Sequence, residues 1–331
     1  MRYFVTGATG FIGGHLTSRL LDLGHEVTAL VRNPEKARDL ERRGVEITEG
    51  DITKKETMRE GMSGADGVFH VAAWYKVGAE DPSVAEDINV KGTRNVLELM
   101  EELKIQKGVY TSTVAVFSDT GGEMVDEDYM FRGRFLSEYE RTKWEAHYRV
   151  ARPMMLNRGL PLVIVQPSVV YGPGDNSSTG RMLDAYLKRE LPAKVKGTYW
   201  GWTHVEDIAR GHVLAMERGK KGESYIIAGE KRSMIDALRI AESITGIAPP
   251  RITLTPTIVK LMSRMASIIQ PIHPLPNFYH PESLRVIAGV SYLGSNRKAK
   301  SQLGYDPMGL EEGFRKYLPL RMEELGIEQG N

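Results

Sequence analysis

The sequence predicts an α/β fold, in which a doubly wound parallel sheet is followed by a smaller, mostly helical C-terminal domain. Strand-like and helix-like segments alternate up to about residue 170, and alternation at this spacing is typical of a parallel sheet with helices on both faces. Beyond that point helical patterns dominate, and proline clusters interrupt the last third. We therefore expect a first domain over 1–173 and a second over 174–331, some segments of which return to the first sheet.

The individual elements follow from apolar periodicity and from residues that begin or end helices. Gly24 is a good C-terminal cap for a first helix over Phe11–Leu23, and Asn33-Pro34 is typical of the start of the next helix. Two long amphipathic stretches, Pro82–Leu103 and Phe135–Asn157, are expected to be helical. The expected strands are Arg2–Thr6, Glu26–Val31, Val45–Glu49, Gly67–Val71, Gly108–Ser112 and Leu162–Gln166, with short strands near Lys194–Lys196 and Ser224–Ile227.

The composition is that of a globular protein without a strong overall charge. The chain has 331 residues, 41% of them apolar, and a formal net charge of +1, which gives no global field to recruit nucleic acid or an anionic membrane. It has no cysteine, which excludes disulfides, thiolate metal sites and cysteine nucleophiles. No metal is expected. The lack of a signal peptide and of a ~20-residue apolar run favours a cytoplasmic protein with neither nucleic-acid nor membrane partners.

A glycine-rich turn directly after the first expected strand predicts a pyrophosphate site. Gly7, Gly10 and Gly13 lack a Cβ atom, so the backbone can turn tightly and a phosphate can approach its amides. The helix that begins near Phe11 would aim its first N–H groups and its positive dipole end at the anion. The position of the motif between a strand and a helix makes this prediction stronger than the glycine spacing alone.

A tyrosine and a lysine four residues apart predict a proton-transfer site. Tyr139 and Lys143 lie in a helical stretch, so their side chains share one face. An ammonium beside the phenol is expected to lower the tyrosine pKa, which makes the phenol a usable acid or base. The strand that ends near Ser112-Thr113 would place a hydroxyl at the same edge of the sheet. The alternation of side chains along a strand favours Thr113 over Ser112.

Together these features make the chain resemble the extended short-chain dehydrogenases/reductases from Met1 to about Tyr305. Six motifs have the order and the spacing of that family. They are Gly7-x-x-Gly10-x-x-Gly13, Gly50-Asp51-Ile52, His70–Ala73, Asn89–Asn95, Gln166–Gly174 and His204–Ala209. The resemblance implies a Rossmann-type sheet that binds NAD or NADP, followed by a substrate domain. It also implies a homodimer held by a four-helix bundle from Ser83–Leu103 and Phe135–Asn157.

The resemblance further implies which residues form the site. The catalytic residues would be Thr113, Tyr139 and Lys143, with Thr113 at the position where the family usually has serine. Thr113 would donate a hydrogen bond to the substrate oxygen, Tyr139 would exchange a proton with that oxygen, and Lys143 would lower the tyrosine pKa and bind the nicotinamide ribose. The implied cofactor-binding residues are Gly7, Thr9, Gly10, Phe11, Ile12, Gly13, Arg32, Asp51, Ile52, Val71, Ala72, Ala73, Tyr139, Lys143, Pro167 and Val170.

The end of the second expected strand favours NADP over NAD. A carboxylate at this point would bind the ribose 2′-hydroxyl of NAD, but the sequence continues Val31-Arg32-Asn33 without one. Arg32 could form a fork to a 2′-phosphate, and Lys36 lies one helical turn after it. NAD stays the alternative, in which Arg32 is solvated or stacks on the adenine.

The substrate is expected to be a small carbonyl or alcohol compound of aromatic or apolar character. The chain resembles the dihydroflavonol-4-reductase-like branch, and its Gly197–Thr203 segment lacks the arginine with which nucleotide-sugar epimerases usually hold a diphosphate. An epimerase or dehydratase with NAD stays an alternative, because Arg181, Lys188 and Arg189 could bind phosphate. A second alternative is a non-catalytic NADP-binding sensor or scaffold. The expected substrate residues are Trp74, Tyr75, Ser168, Met182 and Trp202.

Overall fold

The computed structural model describes residues 1–78 and 81–328, apart from the side chain of Asn277. Residues 329–331, with which the second expected domain ends, lie outside the described residues. The strands are β1 Arg2–Thr6, β2 Glu26–Val31, β3 Glu46–Glu49, β4 Gly67–His70, β5 Gly108–Thr111, β6 Leu162–Pro167, β7 Val169–Tyr171, β8 Lys194–Val195, β9 Tyr199–His204, β10 Ser224–Ile227, β11 Glu230–Ser233, β12 Thr253–Leu254 and β13 Ser291–Tyr292.

One large parallel sheet has the strand order β10-β6-β5-β4-β1-β2-β3. The order reverses between β1 and β4, and open α/β sheets bind ligands at the carboxyl ends of the strands beside such a reversal. Successive side chains alternate between two apolar layers, since Phe4 belongs to one layer and its neighbours Tyr3 and Val5 to the other. The doubly wound α/β fold predicted from the sequence is therefore confirmed.

A second, smaller sheet lies in the C-terminal half, with β9 at its centre. β9 pairs in parallel with β7 and β13 and antiparallel with β11, while β8 and β12 form a separate parallel pair. The sequence did not predict β9, because its residues from Trp200 to His204 are all buried and show no alternation of polar and apolar residues. Strand β10 belongs to the C-terminal half of the chain, but it pairs with β6 and so extends the large sheet.

The helices cover both faces of the large sheet and surround the smaller one. The two long helices expected from the sequence are each interrupted by a π-helical segment, Asp87–Gly92 and Ala146–Ala151. The second begins at Glu138 rather than Phe135, because the Ser137 hydroxyl caps it by accepting from the Glu140 N–H at 3.3 Å. The helices are α1 Phe11–Asp22, α2 Arg38–Arg42, α3 Arg59–Met62, α4 Pro82–Glu86, α5 Thr93–Glu102, α6 Glu138–Glu145, α7 Arg152–Asn157, α8 Ser178–Leu187, α9 Val205–Arg218, α10 Met234–Thr245, α11 Pro256–Ile269, α12 Pro281–Ile287, α13 Arg297–Leu303 and α14 Leu310–Glu324.

The apolar core has two layers against the large sheet and a third in the C-terminal half. Helices α1 and α9 pack on each other and on one face of the sheet, with Leu16 and Ile208 among their buried residues. Helices α5 and α7 cover the other face through residues such as Leu97 and Met154. Within the residues that the structure describes, no helix is both long and apolar enough to cross a membrane.

Candidate active site

A cavity of about 920 Å³ begins at the carboxyl ends of β1 and β4 and reaches residues of α8, α11 and α12. This volume lies near the upper end of the range for small-molecule pockets. The cavity is lined by all the residues that the sequence analysis assigned to catalysis or to the cofactor. Four of the five expected substrate residues also line it, namely Trp74, Tyr75, Ser168 and Met182.

The turn after β1 has the geometry of an anion site. Gly7 has a φ of +78°, which favours glycine, and a Cβ there would lie 2.7 Å from the Ala72 nitrogen. A Cβ on Gly13 would lie 2.0 Å from the Gly7 carbonyl oxygen, so α1 can approach the turn only with glycine there. The cap residue Gly10 has no side chain to bind the first N–H groups of α1, and the first turn holds no acidic residue. A pyrophosphate therefore fits this helix end.

A buried histidine ties this turn to the loop after β4. The His70 ring has Nδ1 2.8 Å from Thr6 Oγ1 and Nε2 3.0 Å from Thr93 Oγ1. Thr6 Oγ1 also accepts from the N–H groups of Val71 and Ala72, each at 3.2 Å. Burial lowers the pKa of His70 to about 3, so the ring stays neutral. No role for Thr6 or Thr93 was evident from the sequence, because their hydroxyl groups contact His70 across 64 and 23 residues of the chain.

Two cationic side chains lie at the end of the cavity beside β2. Arg32 and Lys36 are exposed and line the cavity. The nearby Asp51 carboxylate accepts from the backbone N–H and the hydroxyl of Thr53, at 2.8 and 2.9 Å. The Asp51 carboxylate is thus engaged by its own loop, although Asp51 lines the cavity together with the two cations.

Helix α6 carries Tyr139 to the cavity wall, beside Thr113. The Thr113 hydroxyl accepts from the Ala115 N–H at 3.1 Å. Burial raises the pKa of Tyr139, the neighbouring Thr113 hydroxyl partly offsets this rise, and the Glu140 carboxylate adds to it. The structure therefore brings the predicted hydroxyl and the predicted phenol together.

Lys143 does not act on the Tyr139 pKa as the sequence led us to expect. Its buried Nζ donates to the Thr111 carbonyl at 2.9 Å and to the Tyr110 hydroxyl at 3.2 Å. Burial lowers the pKa of Lys143 itself to about 7, so near neutral pH a substantial part of it is uncharged. Lys143 is not among the groups that shift the pKa of Tyr139, which burial raises rather than lowers.

Two polar side chains beside the catalytic ones, Asn89 and Ser112, are engaged in hydrogen bonds of their own. Asn89, in the first π segment, accepts from the Trp74 N–H at 2.8 Å and donates to the Trp74 carbonyl at 3.0 Å and to Thr142 Oγ1 at 2.9 Å. It joins the loop after β4 to α6. Ser112 Oγ lies 2.8 Å from His147 Nδ1, so that hydroxyl is already engaged. Asn89 begins the family motif Asn89–Asn95, and this position was the one sequence feature that could have indicated its role.

Glu140 links α6 to the smaller sheet. Its buried carboxylate accepts from the Tyr292 hydroxyl, from Ser118 Oγ at 2.8 Å and from the Leu136 N–H at 3.0 Å. Burial raises the pKa of this carboxyl group. No sequence feature singled out Glu140, because a glutamate in a polar helix is usually solvated.

The part of the cavity beyond Tyr139 is largely apolar. Trp202, expected there, is instead buried against Tyr171 and Phe314 and does not line the cavity. Trp200, which lies two residues earlier on the same face of β9, lines it in place of Trp202. The apolar lining in this part includes Met182, Leu191, Val195, Leu254, Val259 and Met262.

Charged groups in this half of the cavity are few. Three cations were expected to be able to bind phosphate, and Arg181 is the one of them that lines the cavity. Its guanidinium already donates to the Asn176 carbonyl at 2.8 Å and to Ser178 Oγ at 3.3 Å. Lys188 and Arg189 do not line the cavity. Among the described residues, no group of three or more His, Cys, Asp or Glu side chains could hold a metal ion.

Comparisons with known proteins agree with this architecture. A family model described as the NAD dependent epimerase/dehydratase family matches residues 3–228. The chain is 35% identical over 260 residues to the "Putative dihydroflavonol 4-reductase" of Synechocystis sp., over 76% of this chain and 75% of that protein. It is 34% identical over 250 residues to the 4-hydroxy-2-methyl-3-oxo-4-farnesyl-3,4-dihydroquinoline-1-oxide ketoreductase of Stigmatella aurantiaca, over 74% of each. The crystal structure named gox2253 superposes with a TM-score of 0.84 at 29% identity, covering 98% of this chain and 99% of that one.

The fold, the glycine turn at the strand reversal, the family model and the named relatives together identify a nicotinamide-dependent oxidoreductase of the short-chain dehydrogenase/reductase class. The chain belongs to the NAD dependent epimerase/dehydratase family, and its sequence relatives named above are reductases. The resemblance stated from the motifs is thereby confirmed.

Proposed function

We propose that this protein is an NADPH-dependent reductase of a carbonyl group on a small, predominantly apolar or aromatic substrate. The observation that carries the proposal is a single cavity that joins the glycine turn, the Thr113–Tyr139 pair and an apolar chamber. We also propose that residues 1–173 mainly bind the cofactor, and that residues 174–331 mainly shape the chamber for the substrate.

Each catalytic side chain has a defined task in this proposal. The nicotinamide cofactor, when bound, supplies the hydride. Tyr139 gives its phenolic proton to the carbonyl oxygen of the substrate, and Thr113 donates a hydrogen bond to the same oxygen. Protonated Lys143 has three donors, of which Thr111 and Tyr110 take two, which leaves one for the cofactor ribose. In the reverse direction Tyr139 accepts the proton.

The preference for NADP rests on Arg32 and Lys36. Both are exposed cations on the cavity wall at the end of β2, where a 2′-phosphate would form charge-assisted hydrogen bonds. No carboxylate directly follows β2 to bind a 2′-hydroxyl instead.

The apolar character of the substrate is supported by the chamber and by the relatives. The side chains that line the chamber are mostly apolar, among them Met182, Val259 and Met262. We propose that the substrate presents a predominantly apolar surface to them. The names of the two relatives above specify a dihydroflavonol and a farnesylated quinoline oxide, which share this mixture of a carbonyl group and apolar rings or chains.

A nucleotide-sugar epimerase is the second candidate. Arg181 on the cavity wall favours it, since its cation could be redirected to a diphosphate. The apolar chamber and the hydrogen bonds that already engage Arg181 favour the reductase.

A substrate panel separates these candidates. NADPH oxidation is followed at fixed enzyme concentration with flavanonols, aromatic aldehydes and α-keto compounds, and nucleotide sugars are analysed in parallel for products. The proposal requires consumption of NADPH with at least one apolar carbonyl compound. Sugar conversion without net redox change would establish the epimerase instead.

A homodimer is also proposed, through Ser83–Leu103 and Phe135–Asn157. It rests on the resemblance to the family. In the described residues of these two stretches, Leu156 is the one large apolar side chain that is exposed.

A further inference from the structure

Helix α11 has two apolar faces, and one of them is exposed. Its buried face includes Val259 and Met262, which line the cavity. Leu261 and Met265, spaced four residues apart, lie on a different face of the helix and are 57% and 56% exposed. The exposed apolar side chains on this helix and in the turn after it are Ile258, Leu261, Met265, Ile268, Ile269 and Ile272.

This exposed face, which we call the α11 face, is unusual for a protein surface in water. Ile268 is 72% exposed and Ile272 is 85% exposed. Isolated apolar side chains are common on surfaces, but a continuous apolar stripe along a helix marks an interaction site.

The charges beside the α11 face indicate what it contacts. Lys260 and Arg264 are exposed and flank the stripe along the helix. The sequence has no aspartate or glutamate from residue 243 to residue 281. An amphipathic helix with an apolar stripe, basic flanks and no acidic residue is complementary to an anionic lipid surface. The overall charge of +1 conceals this local excess, so the net charge alone does not exclude an anionic partner for this face.

A second copy of the chain fits the same face less well. A symmetric dimer through α11 would bring the basic flanks of both copies together, with no acidic residue of this segment to pair with them.

We propose that the α11 face docks on the surface of an anionic lipid bilayer, with Lys260 and Arg264 at the headgroups and the apolar stripe below them. Phe278 and Tyr279 are partly exposed and line the cavity near this helix, so docking would hold that part of the cavity near the bilayer. If the proposed function holds, an apolar substrate could enter the cavity from the bilayer. The lipid contact itself does not depend on the proposed function.

Cosedimentation with vesicles tests the lipid contact without cofactor or substrate. The full-length protein is mixed with vesicles of phosphatidylcholine alone, or with about a third of phosphatidylglycerol. We expect cosedimentation with the anionic vesicles that weakens with added salt. The double variant L261E/I268E is expected to lose at least tenfold in partitioning. K260Q/R264Q should lose on the order of 30-fold on anionic vesicles, from about 1 kcal/mol per basic residue.

The control is L320E, which places one of these two charges at an exposed leucine of α14. It should bind vesicles like the parent protein, and all variants should keep the parent's thermal midpoint. The proposal is overturned if the parent protein does not bind anionic vesicles, or if L320E loses as much binding as L261E/I268E. It is also overturned if light scattering shows that L261E/I268E abolishes a dimer while no form binds vesicles. A failed substrate panel together with intact vesicle binding would reject the proposed function alone.

Discussion

At the scale of single residues, the site depends on how burial changes the chemistry of a few polar groups. His70 is neutral because burial lowers its pKa to about 3, and it can then share hydrogen bonds with two threonine hydroxyls. Lys143 has a buried amine without a carboxylate partner, which lowers its pKa to about 7. The residue types and their spacing identified Tyr139 and Lys143, but the direction of the pKa shifts depends on burial, which the spacing does not specify.

The lowered pKa of Lys143 predicts a pH dependence of stability in the cofactor-free protein. Between about pH 7 and pH 10 the unfolded chain binds a proton that the folded chain does not, so the free energy of unfolding rises with pH by up to about 1.4 kcal/mol per unit. Below about pH 7 both states are protonated and the full penalty for burying the charge is present. The difference in urea-unfolding free energy between the parent and K143M isolates this contribution. A difference that does not change with pH over this range would contradict the lowered pKa.

The proposed preference for NADP over NAD depends on Arg32. R32D removes a charge-assisted contact to a 2′-phosphate, so the affinity for NADPH should fall roughly 10- to 100-fold more than that for NADH. Titration by fluorescence measures both dissociation constants. The matched control is R38D, since Arg38 is an exposed neighbour that does not line the cavity. Equal losses for the two cofactors in R32D would mean that Arg32 does not bind the phosphate.

At the scale of elements, the sequence predicted the strands and helices whose ends are marked by a local residue pattern. Strands β1, β2 and β10 begin and end as expected, because each is a short β-prone run bounded by turn or cap residues. The π segments and strand β9 were not predicted. A π segment is rare and occurs as a single turn inside an α-helix, so an apolar periodicity that predicts a helix does not predict it. Strand β9 is buried on both faces, so it has no alternation.

The contact between α1 and the glycine turn gives a prediction at this scale. In G13A the new Cβ would meet the Gly7 carbonyl oxygen at 2.0 Å, which forces the helix away from the turn. We expect a loss of about 1–3 kcal/mol in the free energy of unfolding and weaker NADPH binding. The control is G14A, whose Cβ would lie 3.6 Å from its nearest neighbour. It should be stabilising by about 0.5–1 kcal/mol, because alanine favours a helix. Equal behaviour of the two variants in urea unfolding and NADPH titration would refute the close approach.

At the scale of the whole molecule, the proposed function depends on one cavity that residues from both halves of the chain line. The large sheet supplies the glycine turn, Thr113 and the strand ends, while the smaller sheet and α8, α11 and α12 supply the apolar chamber. Glu140 connects the two, because its carboxylate on α6 accepts from Tyr292 in β13. Such a connection between residues 152 positions apart could not be predicted from either segment alone.

The measurement that tests this account most directly compares turnover and NADPH binding in Y139F. Removal of one hydroxyl deletes the proton donor and leaves the lining of the dinucleotide site in place. We expect kcat for reduction of an accepted carbonyl substrate to fall by roughly 10²–10⁴-fold, with a dissociation constant for NADPH within about twofold of the parent value. Turnover close to that of the parent protein would show that Tyr139 does not transfer the proton, and the central claim would be wrong.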